Sequence, residues 1–312
     1  MFAMPNKDTA NSVQAHTEAK LQFYTGYLER YLTILLNSSK IRQINIYDLF
    51  CGAGAYSDGK TGSALRAIAA IQSAQKQVPR GQRVRLYLND KDQARTDNLK
   101  TLIEESGWGD QVDITVGCRE AEALFHKLAE KFEGQPRTTR NLIFIDPFGY
   151  KAIDRRSLEK MLACERTEII LFLPIEQMYR FRHVAAKENS DPSIAPLKEF
   201  LEQFDLDAAA IKSEKEFISV LGCRLTFDGR YYVSTYSITN HNGRLYGMFF
   251  ITPHIYGLEK ILEVKWSLDK QGGERFSNSP QPDFVLDLEK EEDLRSQLAT
   301  FLASERTNKQ VY

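Results

Sequence analysis

Asp48-Leu49-Phe50-Cys51-Gly52-Ala53-Gly54 sets two glycines one residue apart, just beyond an apolar run that ends in an acid. Glycine turns the backbone through positive φ and lets a ligand approach the main chain, so peptide N–H groups in such a bend can meet a carboxylate or a phosphate. A dinucleotide fingerprint needs a third glycine where this chain has Ser57, which favours a cofactor smaller than a diphosphate. Asp90 follows a second apolar run, and a carboxylate there can accept from a pair of hydroxyl donors, such as those of a ribose; Asp92 is the alternative acid. Asp146-Pro147-Phe148-Gly149 follows a later run. The exocyclic amine of a base is a weak nucleophile because its lone pair is delocalised. A carboxylate and a proline carbonyl can accept its N–H bonds, while a flat ring stacks on the base and holds it for in-line attack. Asp146 would be the acceptor, Pro147 would stiffen the loop and offer its carbonyl, Phe148 would stack, and Gly149 closes the motif. The structural alternative is an Asp146 that caps the next helix, with a Pro-Phe turn.

These residues need a frame that brings them to one edge, and the apolar pattern supplies it. Strands are expected at 44–49, 84–88, 112–116, 141–145 and 168–173, alternating with helices at 63–74, 92–105, 120–132 and 157–164. Such alternation argues for a parallel sheet covered on both faces. Ligands of open sheets of this kind bind beyond the carboxyl ends of the strands. Before the first strand, Leu21, Tyr24, Leu28, Tyr31, Leu32 and Leu35 recur at helical spacing, as expected of a helix packed on the sheet. The segment 174–228 is polar and helical, broken by Pro192 and Pro196. After it, β-rich runs at 230–239 and 245–251 flank Asn240-His241-Asn242-Gly243, a hairpin signal. A parallel sheet that ends in an antiparallel hairpin favours the methyltransferase variant of the doubly wound fold. The sheet is therefore expected to be mostly parallel and seven-stranded. Its boundaries are an N-terminal helical extension at 1–40, a Rossmann-like α/β domain at 41–270 with a helical insertion at 174–229 that would shape substrate choice, and a C-terminal helical tail at 271–312.

Composition narrows the partners. Lys and Arg number 41 against 42 Asp and Glu, so no basic field covers the whole surface. Local basic patches remain open: Arg180 and Arg182 in Tyr179-Arg180-Phe181-Arg182-His183 could contact phosphate, or could lie on the wet face of an amphipathic helix. Arg137, Arg140, Arg155 and Arg156 could extend a rim about the Asp146 loop, or be scattered solvated charges. Cys51, Cys118, Cys164 and Cys223 have no paired spacing, and no metal site is expected. Neither an apolar signal core nor a bilayer-length run is present, so the expected location is the cytoplasm, with no membrane partner.

The Asp-x-Phe-x-Gly-x-Gly pattern resembles the first motif of S-adenosylmethionine-dependent methyltransferases. That resemblance implies a cofactor site built from Asp48, Phe50, Gly52 and Gly54 at the methionine end, with Asp90 at the ribose. The position after the third strand, where such enzymes hold an Asp or Asn for the adenine amine, has Cys118 after Gly117 here, a poor hydrogen-bond partner. Asp146-Pro147-Phe148-Gly149 looks more like the motif of tRNA guanine N2-methyltransferases than that of adenine-N6 DNA enzymes. Over residues 16–276 the chain resembles the three-Cys-motif partner family (TcmP) of bacteria. The resemblance rests on His16-Thr17-Glu18-Ala19-Lys20-Leu21, the glycine bend followed by Gly62-Ser63, Phe144-Ile145-Asp146-Pro147-Phe148-Gly149, and Gly257-Leu258-Glu259-Lys260 through Trp266. It implies a methyltransferase-like protein encoded beside a protein with three clustered cysteines, itself similar to radical S-adenosylmethionine proteins, as a partner. Two functions are expected to compete: an S-adenosylmethionine-dependent methyltransferase acting on an exocyclic amine of RNA or DNA, and a non-catalytic partner subunit of such a three-Cys protein. Methylation of a small molecule or protein is a third reading.

Overall fold

The computed structural model describes residues 13–78, 81–108, 112–147, 149–187, 192–270 and 272–277. The helix α1 (Ala15–Leu36) leads into an alternation of β1 (Gln43–Asp48), α2 (Ser63–Gln77), β2 (Arg83–Asp90), α3 (Gln93–Glu105), β3 (Asp113–Cys118), α4 (Ala121–Glu133), β4 (Thr139–Ile145), α5 (Arg155–Ala163) and β5 (Thr167–Leu173). Three helices follow, α6 (Ile175–Ala185), α7 (Ala195–Gln203) and α8 (Glu214–Arg224), then β6 (Tyr232–Thr239), β7 (Leu245–Thr252), α9 (Ile255–Leu268) and β8 (Arg275–Ser277). Strand order is β3-β2-β1-β4-β5-β7-β6-β8, with β7 antiparallel to both of its neighbours and every other pairing parallel. The fold is thus the expected Rossmann-like methyltransferase type, a mostly parallel α/β sheet closed by an antiparallel hairpin. Among the described residues the sheet has eight strands where the apolar pattern gave seven, because β8 is three residues long and pairs only along the edge of β6. β8 falls in the expected C-terminal helical tail; residues 278–312 lie outside the described ones.

Side-chain alternation along each strand divides the core into two layers. Ile44 and Ile46 of β1, Leu142 and Phe144 of β4, and Ile170 and Phe172 of β5 meet α1, α2 and α9. Tyr47, Ile143, Ile145, Ile169 and Leu171 meet α4, α5 and the helices of the insertion. Burial of both faces explains why these strands read as continuous apolar runs. Pro196 starts α7 rather than breaking a helix, since proline suits a first turn that needs no N–H.

The helix α1 lies on the sheet as its apolar stripe predicts: the Tyr24 ring stacks on Phe144 at 4.2 Å between centroids, and Tyr27 meets Phe250 at 4.4 Å. Near the amino end of β5, the buried Glu168 accepts from the Tyr27 hydroxyl at 2.5 Å and from the Thr252 hydroxyl at 2.6 Å. This polar junction ties α1, β5 and β7 together. The Glu18 carboxylate receives a two-pronged bond from Arg66 (2.9 and 2.6 Å), which fastens α1 to α2.

Candidate functional site

The carboxyl ends of β1, β2, β3 and β4 lie side by side, and each carries one of the residues singled out in the sequence. Asp48 ends β1 and is 0% exposed; Asp90 ends β2 and is 2% exposed. Between them the glycine bend folds back onto β2: Cys51 N–H donates to the Asn89 carbonyl (2.9 Å), and Gly52 N–H donates to Asp90 Oδ2 (3.1 Å). Gly52 has φ +63° and Gly54 φ +89°, conformations that favour glycine. At Gly54 space forbids a side chain as well, because a Cβ would stand 2.7 Å from Leu99 Cδ1. The bend closes where Gly62 N–H donates to the Gly54 carbonyl (2.7 Å). Phe50 is half-buried and packs toward the α4 side.

Asp90 Oδ1 also accepts from Asp92 N–H (3.0 Å), so both oxygens of the expected ribose acid already brace main chain. Asp92 itself caps α3, its Oδ1 accepting from Ala94 N–H and Arg95 N–H. Cys118 ends β3 half-buried, its thiol directed to the Lys91 carbonyl at 3.5 Å.

Asp146 follows β4 directly and does not cap a helix; α5 is capped by Asp154, which accepts from Ser157 N–H at 2.8 Å. Instead, Asp146 Oδ2 receives the Lys20 ammonium in an ion pair whose side chains are 22% and 10% exposed respectively. The Lys20 Nζ also lies 4.8 Å from the centroid of Phe172, itself stacked on Tyr246 (5.1 Å), which in turn stacks on His16 (5.6 Å). Pro147 and Gly149 belong to the same turn, with Gly149 at φ +151°; Phe148 lies outside the described residues. Sequence reasoning missed Lys20. Its signal is a lysine on the buried stripe of α1, four residues before Tyr24 and eight before Leu28.

Electrostatics make this rim unusual. Burial pushes the Asp48 carboxyl up to about 7 against the Ser63 hydroxyl and Phe50 N–H, which favour its charged form. Its Oδ1 accepts from Phe50 N–H at 3.3 Å, whereas Oδ2 is buried and accepts no hydrogen bond. For Lys20, burial works to lower the ammonium, but Asp146, Tyr56 and Asp48 overcome it and hold it above its ordinary value. A carboxyl raised on folding stabilises the protein while protonated in the native state, and that stabilisation fades as pH climbs from the unfolded value through the folded one. Asp48 and Glu168, the latter likewise raised by burial to about 7, should therefore make wild-type stability fall between about pH 4 and 7. Asp48→Asn is expected to flatten this dependence and to exceed wild type at pH 8 by a few kcal/mol, on the order expected for a buried carboxylate. Denaturant melts at pH 5 and pH 8 check it; an equal difference at both would sink the assignment.

The cations are distributed differently from the expectation. Arg182 is 8% exposed and donates to the Ile211 carbonyl (3.1 Å) and the Tyr179 carbonyl (2.7 Å), with its guanidinium 3.6 Å from the Tyr179 ring centroid. It fixes α6 to the segment that precedes α8 within the insertion and is not a surface contact for phosphate. Arg180 remains 60% exposed, in an i,i+4 pair with Glu176. Arg137 and Arg140 do not border the Asp146 loop: they stand at the amino end of β4, a strand length of roughly 20 Å away. Arg155 pairs with Glu159 beside the Phe227 ring. Among the described residues no group of three His, Cys, Asp or Glu side chains could hold a metal ion, and no helix is long and apolar enough to cross a membrane.

No family model matches the sequence, and no curated protein matches it. Among solved structures, the chain is similar to methyltransferases. An O-methyltransferase from Bacillus cereus in complex with SAH shares 16% identity at a TM-score of 0.37, over 73% of this chain and 80% of that one. The N-terminal domain of human METTL16 in complex with SAH shares 14% at 0.36, over 81% and 75%. A putative O-methyltransferase from Klebsiella pneumoniae shares 13% at 0.36, over 77% and 91%. These superpositions are loose, and the description of the fold rests on the strand order and register given above.

Proposed function

We propose that the chain is an S-adenosylmethionine-dependent methyltransferase whose acceptor is an exocyclic amine of a nucleic acid. The observation that carries the reading is the convergence of Asp48, the Gly52–Gly54 bend, Asp90 and Asp146 on one edge of a sheet ordered β3-β2-β1-β4-β5-β7-β6. The residues fit the cofactor. Asp48 Oδ2 is a buried acceptor with no donor, which the ammonium of a methionine end would satisfy, and positive charge nearby would return Asp48 to its ionised form. Gly52 leaves open space where a Cβ would stand, so a ligand can approach its main chain. Asp90 holds that bend in place through Gly52 N–H. The cofactor, when bound, supplies an electrophilic methyl group.

On the acceptor side, Lys20 holds Asp146 by Oδ2, and Oδ1 carries no hydrogen bond among the described residues. A carboxylate held by one oxygen can accept an N–H from the amine with the other and orient its lone pair. Arg180, an exposed arginine of α6, stays a candidate for a phosphate contact. A second reading, a methyltransferase-like partner subunit of a three-Cys-motif protein, draws support from the same pair: Asp146 already has a cation, and both Asp90 oxygens already have donors.

Thermal melting with S-adenosylmethionine and S-adenosylhomocysteine tests the shared premise. At about 100-fold excess over Kd a native-state ligand adds about 2.7 kcal/mol, so the midpoint should rise by roughly 5 °C. No rise with either compound removes the enzyme and any subunit that keeps the cofactor, and leaves only a partner subunit that does not bind it. Transfer of labelled methyl groups to total RNA and DNA then separates enzyme from subunit. Cofactor binding without transfer to any nucleic acid would favour the second.

A further inference from the structure

The amino ends of β4 and β5, opposite the rim, border a cleft of about 780 Å³, within the range of small-molecule sites. Arg137, Arg140, Lys160 and Arg166 line it, and among the described residues none of the four forms an ion pair. Surface cations are usually matched by a carboxylate or left to point into water. Two of these are instead fixed by main chain: Arg140 Nη1 donates to the carbonyls of Arg137 (2.8 Å) and Thr139 (2.9 Å), and Arg166 Nη2 to those of Phe132 (3.2 Å) and Gln135 (3.1 Å). Guanidiniums oriented in this way lose little freedom when their remaining N–H groups meet an oxyanion.

Three further observations point to the same spot. Arg166 Nε and His254 Nε2 are buried without a hydrogen-bond partner, and both residues line the cleft. Both atoms lie behind the cleft surface, where they mark uncompensated desolvation in its wall and are not themselves groups that a ligand reaches. His254 is also the N-cap of the 14-residue helix α9, and no side chain caps that terminus, so the positive end of the helix dipole adds to the guanidinium charge. Burial first, and then the Arg140 charge, hold His254 below its usual value against the opposing effect of Glu165. Finally, Glu165 on the cleft wall adopts φ +54°, a left-handed conformation that a glutamate holds only where its surroundings impose it. Glu130, Glu133 and Glu165 of the cleft are exposed, as are Arg137 and Lys160, so the half-buried charges of its lining are those of Arg140 and Arg166.

We propose that this cleft binds a phosphate ester, with Arg140 and Arg166 as the oriented forks, Lys160 completing the shell and the amino end of α9 adding positive potential. The site is separate from the methyl-transfer rim and does not depend on it. Its chemistry is met by a phosphorylated small molecule and by a nucleic-acid backbone alike. Calorimetric titration of the full chain with inorganic pyrophosphate is the direct test, with Lys100→Ala on the exposed face of α3 as control. Saturable binding is expected, weakened about tenfold or more by Arg140→Ala and by Lys160→Ala and unchanged by the control. Arg140→Lys keeps the charge but loses the fork, and should fall between wild type and Arg140→Ala. Displacement of pyrophosphate by adenosine monophosphate, but not by a short single-stranded oligonucleotide, identifies a free ligand; the reverse identifies a backbone. No heat at millimolar pyrophosphate, or equal affinity in wild type, Arg140→Ala and Lys160→Ala with folding intact by circular dichroism, overturns the proposal.

Discussion

Gly257→Ala should lower stability by about 3 kcal/mol, a large change for one methyl group. Gly257 lies buried in the first turn of α9 against the Glu168 junction. A Cβ there would collide with Glu168 Oε1, stand 2.7 Å from Thr252 Oγ1, and reach within 3.2 Å of the Tyr27 hydroxyl. Glu168 has no slack to yield, being buried and held by hydroxyls at 2.5 and 2.6 Å. Overpacking costs about 1–3 kcal/mol, and leaving a buried carboxyl short of a hydrogen-bond partner costs about 1–3 more. Alanine's helix preference returns about 1 kcal/mol, too little to offset them. Gly134→Ala is the control: Gly134 ends α4 at φ −82° with nothing within 4 Å of its would-be Cβ, so the change should be neutral or slightly stabilising. Urea denaturation of both variants gives the comparison. A loss below about 1 kcal/mol at Gly257 would mean that the junction is softer than its hydrogen bonds imply.

How much of this was legible in the sequence depends on how local the cause is. The central strands β1, β4 and β5 read clearly because burial on both faces leaves nearly continuous apolar runs, whereas β2 and the edge strand β3 read from alternation, and each of the five is stopped by an acid, a glycine or a proline. The hairpin read clearly because Asn240 to Gly243 must turn, with Gly243 at φ +73°. β8 gave no signal: three residues on an edge bury too little to impose a pattern. At the site, the residues of the glycine bend and the acids at the strand ends were named correctly as neighbours, since each ends its own strand. What each acid is bonded to was not readable. The use of Asp90 by Gly52 and Asp92, and the internal bonds of Arg182, follow from where separate segments meet. Arg137 and Arg140 were tied to Asp146 by closeness along the chain, yet a strand turns seven residues of sequence into the whole thickness of the domain.

Lys20 was the largest omission, and it yields the second strong expectation. Asp146→Ala leaves a nearly buried ammonium without the carboxylate that pairs with it directly. Breaking a buried pair from one side costs about 3–5 kcal/mol, and partial exposure of Asp146 should bring this to about 2–3. Lys20→Met leaves a carboxylate that water can reach, and should cost only about 1 kcal/mol. The double variant, with neither charge, should be more stable than Asp146→Ala alone by at least about 1 kcal/mol, a coupling that a thermodynamic cycle isolates. Catalysis divides the same variants differently. If Lys20 orients the acceptor, the double variant recovers its fold without recovering transfer, and Lys20→Met loses transfer while keeping cofactor affinity. If the pair only fastens α1 to the sheet, transfer follows stability, and rescue of the one restores the other. Strict additivity of the two single changes would remove the ion pair from both accounts, because groups in contact cannot be energetically independent.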